Sequence, residues 1–240
     1  GHAYSGFAPE RVVVAGLGQV VGFDLDDVRS VSAAVARRLR AIGVKNAATV
    51  THGAGGGGLD PAPSAEAVAE GALLGLYRFD RYKTDKDNDH RRQVESLALI
   101  ELDQSKISAL QSGVDRGLAF SQAAILARDM VNEPPNVMSP TRMAEIAIEI
   151  AGGGASLSSR VLERDEIERL GMGAFLGVAQ GSSQPPKLIE VSYAGAPDSP
   201  DHNLWLIGKG ITFDSGGLSL KPTSGMETMK GDMGGGAAVL

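Results

Sequence analysis

Four consecutive apolar residues, Leu204, Trp205, Leu206 and Ile207, run directly into Gly208-Lys209-Gly210. A short run that is apolar on both faces suits a central strand of a parallel sheet, covered above and below. The handover to a charged, glycine-lined loop then falls at the carboxyl end of a strand, where open α/β sheets hold their ligands. That single feature predicts an α/β architecture with a site near residue 209.

The rest of the chain agrees with alternating α/β. Residues 11–16 read as a short buried strand following a leader at 1–9, and Asp26 or Asp27 caps a helix whose apolar positions Val28, Val31, Val35, Leu39 and Ile42 share one face up to Gly43. Strands are expected at 46–51 and 97–101, an alanine-rich helix at 64–77 and a charged surface loop at 78–92. From Gly113, the residues Val114, Leu118, Ile125, Leu126 and Met130 give a long helix, which Asn132-Glu133-Pro134-Pro135 stops because proline cannot supply the next amide. Ser139-Pro140 supplies the cap and first position of another helix, which runs to the glycines at 152–154. Strands at 161–163, 187–193 and 204–207 complete the reading. The predicted organisation is a partial N-terminal α/β domain at 1–112, a linker helix at 113–132 and a further α/β domain with a mixed central sheet beginning at 133–240.

Charge and cysteine usage narrow the chemistry. Lys and Arg number 23 against 29 Asp and Glu, a net charge of -6 without long single-sign runs, which argues against a nucleic-acid or anionic-membrane partner. The chain has no cysteine, so any metal must take oxygen or nitrogen ligands and a thiol nucleophile is excluded. No apolar run reaches membrane-spanning length, and a cytoplasmic protein is expected.

Two aspartates and two lysines of the 209–232 stretch carry the chemical signal. Lys209 follows the apolar run directly and Asp214 follows Phe213, with small residues around both. Charges held near a core usually pair or bind metal. Each aspartate is a hard oxygen donor, and one carboxylate can bridge two ions. A lysine ligates only when neutral, a state favoured by burial and by a nearby cation, while a second lysine can stay charged and stabilise a developing oxyanion.

The residues Gly208-Lys209-Gly210-Ile211-Thr212-Phe213-Asp214-Ser215-Gly216-Gly217, then Lys221-Pro222, then Met229-Lys230-Gly231-Asp232-Met233-Gly234-Gly235 resemble the leucyl aminopeptidase (cytosol aminopeptidase) family. Asn132-Glu133-Pro134-Pro135-Asn136 and the stretch from Gly171 to Ser182 resemble it too, so the likeness is firm from about Ala127 onward and looser before it. The resemblance implies a metallo-exopeptidase that releases N-terminal amino acids, leucine-type, from peptide substrates. It implies two divalent metal ions per site, manganese or zinc or magnesium, with Asp214 bridging them and Lys209 and Asp232 completing the shell of the more labile one. Lys221 would polarise the scissile carbonyl and Met229 would line the pocket for the first side chain. Lys209, Asp214, Lys221, Met229 and Asp232 together would contact substrate. A bicarbonate and a homo-hexamer are also implied. The family's later motif of an aspartate, a glutamate and an arginine is absent from these 240 residues. Truncation at both ends is therefore expected, and little activity from the chain as given.

Other motifs are weaker. The glycine run at 53–58 lacks a following Gly-Lys-Ser/Thr, so a flexible loop is expected there in place of a phosphate cradle. Histidines 2, 52, 90 and 202 lack zinc-protease spacing and read mostly as surface residues. Ser215 lacks a nucleophile elbow. A non-catalytic DNA-binding or structural role stands as the alternative reading.

Overall fold

The computed structural model describes residues 9–55, 57–84, 92–154, 156–195 and 203–240. Residues 1–8 of the expected leader, 85–91 of the expected loop at 78–92, and His2, His90 and His202 lie outside the described residues. The chain divides into two compact units, Gly1–Ile125 and Leu126–Leu240.

The first unit is built on a close helix pair. Helix α1 (Leu25–Ala41) opens on a capping box. Asp24, two or three residues ahead of the caps expected from sequence, accepts from the amides of Asp26 and Asp27, and the Asp27 side chain accepts from the amide of Asp24 in return. Its buried line is Val28, Ser32, Ala36 and Leu39, with Val31 and Val35 only partly covered. The reason lies in helix α2 (Pro61–Leu76), which approaches so closely that small residues must occupy the crossing. A Cβ on Gly71 would come 2.3 Å from the Arg29 carbonyl oxygen, and one on Gly75 would come 2.7 Å from Cα of Ala33. Strand β1 (Asn46–Thr49) pairs in parallel with β2 (Ser96–Leu99), and Val28, Ala67 and Val68 form the core against Phe23, Leu25, Leu59 and Leu99.

The strand expected at 11–16 does not form. Val12 and Val14 are 74% and 89% exposed, and no described strand offers them a ladder. Apolar β-propensity yields a strand only where a neighbour takes up the backbone donors and acceptors.

Helix α3 (Ile107–Asn132) starts six residues before Gly113. Within the first unit Gly113 and Gly117 sit against α2, where a Cβ on Gly113 would lie 2.1 Å from the Ala62 carbonyl oxygen. In the second unit the end of α3 joins the core. Met130, Met138, Met143, Ile146, Met233 and Ala237 pack as one buried cluster. Helix α4 (Pro140–Ala151) begins as the sequence predicts, with the Ser139 side chain accepting from the Arg142 amide. Strand β3 (Leu157–Leu162) pairs antiparallel with β4 (Leu188–Tyr193), and the short helices α5 (Arg164–Arg169) and α6 (Gly173–Ala179) lie between them in sequence.

Residues 204–207 are the second correction. They form no strand and have no ladder partners among the described residues, and Leu204 and Ile207 are 87% and 91% exposed. One residue later, 208–210 runs against helix α7 (Gly234–Val239).

Candidate metal centre

Two glycine-dependent approaches assemble the site. The Gly236 amide donates 2.7 Å to the Lys209 carbonyl, and a Cβ on Gly208 would come 2.3 Å from the Gly235 carbonyl oxygen. Only bare backbone lets 208–210 lie this close to the start of α7, which sets Lys209 beside Asp232. The second approach is a turn. Gly216 has φ +92°, which favours glycine, and the Lys221 amide donates to the Ser215 carbonyl at 2.9 Å, folding Lys221 back toward Asp214.

The result is two lysine–aspartate pairs. Lys209 Nζ lies 2.7 Å from Asp232 Oδ1, and Lys221 Nζ lies 2.7 Å from Asp214 Oδ2. Asp214 Oδ1 accepts from the Gly216 amide at 2.8 Å. Lys221 holds the Asp214 carboxyl below the usual carboxylate range, with the Gly216 amide next and the charges of Lys221 and Lys209 adding to the effect. The two pairs therefore feel one another. Lys221 Nζ also donates 2.9 Å to Met229 Sδ, so the lysine spans the aspartate and the thioether.

Coverage is uneven. The Asp232 side chain is 16% exposed and that of Lys209 is 53%, more open than its small neighbours suggested. Asp232 Oδ2 is buried with no hydrogen-bond partner, whereas Oδ1 is engaged. A buried carboxylate oxygen without a donor is costly, and one explanation of such an oxygen is an ion. The donor set here, two carboxylates and an amine that ligates once deprotonated, suits a hard or borderline dication. It fills part of a shell only: among the described residues no group of three or more His, Asp or Glu side chains could hold a metal ion.

Each of the five residues singled out in the sequence thus lies in one of two contacts: Lys209 with Asp232, and Lys221 with both Asp214 and Met229. Sequence reasoning did not give the Gly216 amide on Asp214 or the lysine–thioether contact. The glycine pair following Asp214 was the available signal for the former; nothing in residue type foretells the latter.

The comparisons with known proteins follow the same division of the chain. Residues 2–86 match the family model described as cytosol aminopeptidase family, N-terminal domain, and residues 125–240 match the catalytic domain of that family. A probable cytosol aminopeptidase of Alkaliphilus oremlandii (strain OhILAs) is 42% identical over 231 residues, 96% of this chain and 46% of the relative. Another, from Syntrophotalea carbinolica, is 42% identical over 236 residues, 98% of this chain and 47% of the relative. Among solved structures, the bottromycin maturation enzyme BotP in complex with Mn is 33% identical with a TM-score of 0.76, covering 93% of this chain and 45% of that one. A tomato leucine aminopeptidase mutant is 28% identical with a TM-score of 0.71, covering 88% and 40%. The chain spans about half the length of the curated relatives it matches.

Proposed function

Because this chain belongs to the cytosol aminopeptidase family, we propose that the whole protein is a metal-dependent aminopeptidase releasing N-terminal residues, with a leucine-type preference, from peptides. The observation that carries the reading is the buried, unpartnered Oδ2 of Asp232 beside a lysine and a second lysine–aspartate pair. Asp214, Asp232 and Lys209 would hold the metal, with Asp214 shared between two ions. Two bound dications, manganese or zinc or magnesium, would supply an activated water and Lewis acidity toward the scissile carbonyl.

The chain's own residues have three tasks. Lys209 would offer its Nζ as a nitrogen donor to the metal beside the Asp232 carboxylate. Lys221 exchanges Asp214 Oδ2 for the substrate's carbonyl oxygen, its Nζ donating where negative charge develops. Met229, in contact with Lys221, bounds the space for the first side chain of the substrate. The reading extends to a bicarbonate that assists proton transfer, to a homo-hexamer and to a cytoplasmic location. No described helix is long and apolar enough to cross a membrane. We also infer that residues 113–132 connect domains at 1–112 and 133–240, which is supported by Gly113 and Gly117 lying on α2 and Met130 lying in the second core.

Manganese-dependent hydrolysis of a leucine anilide by the full-length protein tests the activity. Lys221→Ala should lower kcat by about a hundredfold or more while manganese still binds. Full activity in that variant removes Lys221 from the chemistry, and no hydrolysis by the wild type in manganese, zinc or magnesium removes the proposal. The 240-residue polypeptide, with donors for only part of a shell, should turn over no leucine anilide.

A further inference from the structure

Lys230, the third lysine of the 209–232 stretch, turns away from both carboxylate pairs. Its Nζ donates 2.8 Å to the main-chain carbonyl of Asn132, the last residue of α3 and 98 positions earlier. Carbonyls in the last turn of a helix have no intrahelical partner and carry the negative end of its dipole. The ammonium therefore makes a hydrogen bond and a charge–dipole contact at once. Val131, the preceding residue of α3, lies against the same turn, within about 3.5 Å of where a Cβ on Gly231 or Gly234 would stand. Met233 is fully buried in the core with Met130. Asp232 is thus fastened on both sides to one helix end, by Lys230 before it and Met233 after it.

Asp232 depends on that fastening, since only one of its two oxygens has a hydrogen-bond partner. Met229, on the other side of Lys230, faces the Lys221 ammonium. We propose that Lys230 is a positioning residue that clamps the 229–232 turn onto the end of α3 and so sets the placement of Asp232 and Met229 for metal and substrate. The metal half of this statement rests on the aminopeptidase reading; the clamp itself does not.

The test compares wild type, Lys230→Met, which keeps the aliphatic stem, and Lys230→Arg, which keeps the donor and charge, in the full-length protein. The amides of Gly231 and Asp232 are hydrogen-bonded to Thr228 and Met229 and should be protected from hydrogen exchange. Lys230→Met should exchange them at least about tenfold faster and weaken manganese binding on the order of tenfold. Lys230→Arg should restore both. Unchanged exchange in Lys230→Met overturns the clamp, as does faster exchange spread evenly over 126–240, which would make Lys230 a general stabiliser. If the wild type binds no manganese, the metal reading falls and the exchange comparison alone decides the clamp.

Discussion

Asp232 rests one carboxylate oxygen on Lys209 and the other on nothing, while His52 has both ring nitrogens near hydroxyls. Neither arrangement was legible in the sequence, where the family resemblance assigned Lys209, Asp214, Lys221 and Asp232 to one site but could not say which lysine meets which aspartate. That pairing follows from the positive φ of Gly216 and the bare backbone of Gly208 and Gly235, where a side chain would collide. His52, read among mostly surface histidines, is half-covered. Its Nε2 lies 3.0 Å from Thr49 Oγ1 and its Nδ1 lies 3.4 Å from Ser32 Oγ. Burial lowers its pKa from the ordinary value of about 6.5, so the folded state binds its proton less readily than the unfolded chain. The His52 contribution to stability is held above about pH 6.5 and should be lost as pH falls from there through the lower folded-state pKa. Urea midpoints taken from pH 7.5 to 5.5 should decline for wild type and decline less for His52→Gln; equal slopes in both would show that His52 does not titrate on folding.

Helices were more legible than strands, and the difference is physical. Asp24, Ser139, Pro140 and the prolines after Asn132 act locally, so α1, α3 and α4 could be read with errors of a few residues at their starts. Residues 12–14 and 204–207 have the composition of strands, yet a strand is defined by its neighbour, and no described strand pairs with either. The helix crossing of α1 and α2 was invisible for another reason: Gly71 and Gly75 read as helix-weakening residues until the opposing backbone is seen. Gly71→Ala would raise intrinsic helix propensity but place a Cβ 2.3 Å from the Arg29 carbonyl oxygen. Overpacking should dominate and lower unfolding free energy by about 1–3 kcal/mol. Chemical denaturation checks the sign, and an unchanged or increased stability would mean that the helices can separate at no cost.

At the scale of the molecule, two family domains share one chain of net charge -6, and the catalytic-domain match supplies lysine–aspartate pairs without a cluster of three acidic or histidine side chains among the described residues. The α/β class was readable from alternating apolar patterns, and the family from the 208–235 motif. The incompleteness of the metal shell was expected as well, since the Asp, Glu and Arg motif that the resemblance implies is absent from these 240 residues. Lys209, Asp214 and Asp232 are proposed to bind metal. Anomalous diffraction from crystals of the full-length protein grown with manganese tests it most directly. Manganese is expected within about 2.0–2.6 Å of the Asp214 and Asp232 carboxylates, one ion touching the formerly unpartnered Oδ2, and Lys209 Nζ in its shell. Manganese bound elsewhere, with Lys209 still paired to Asp232 and Lys221 to Asp214, would contradict it.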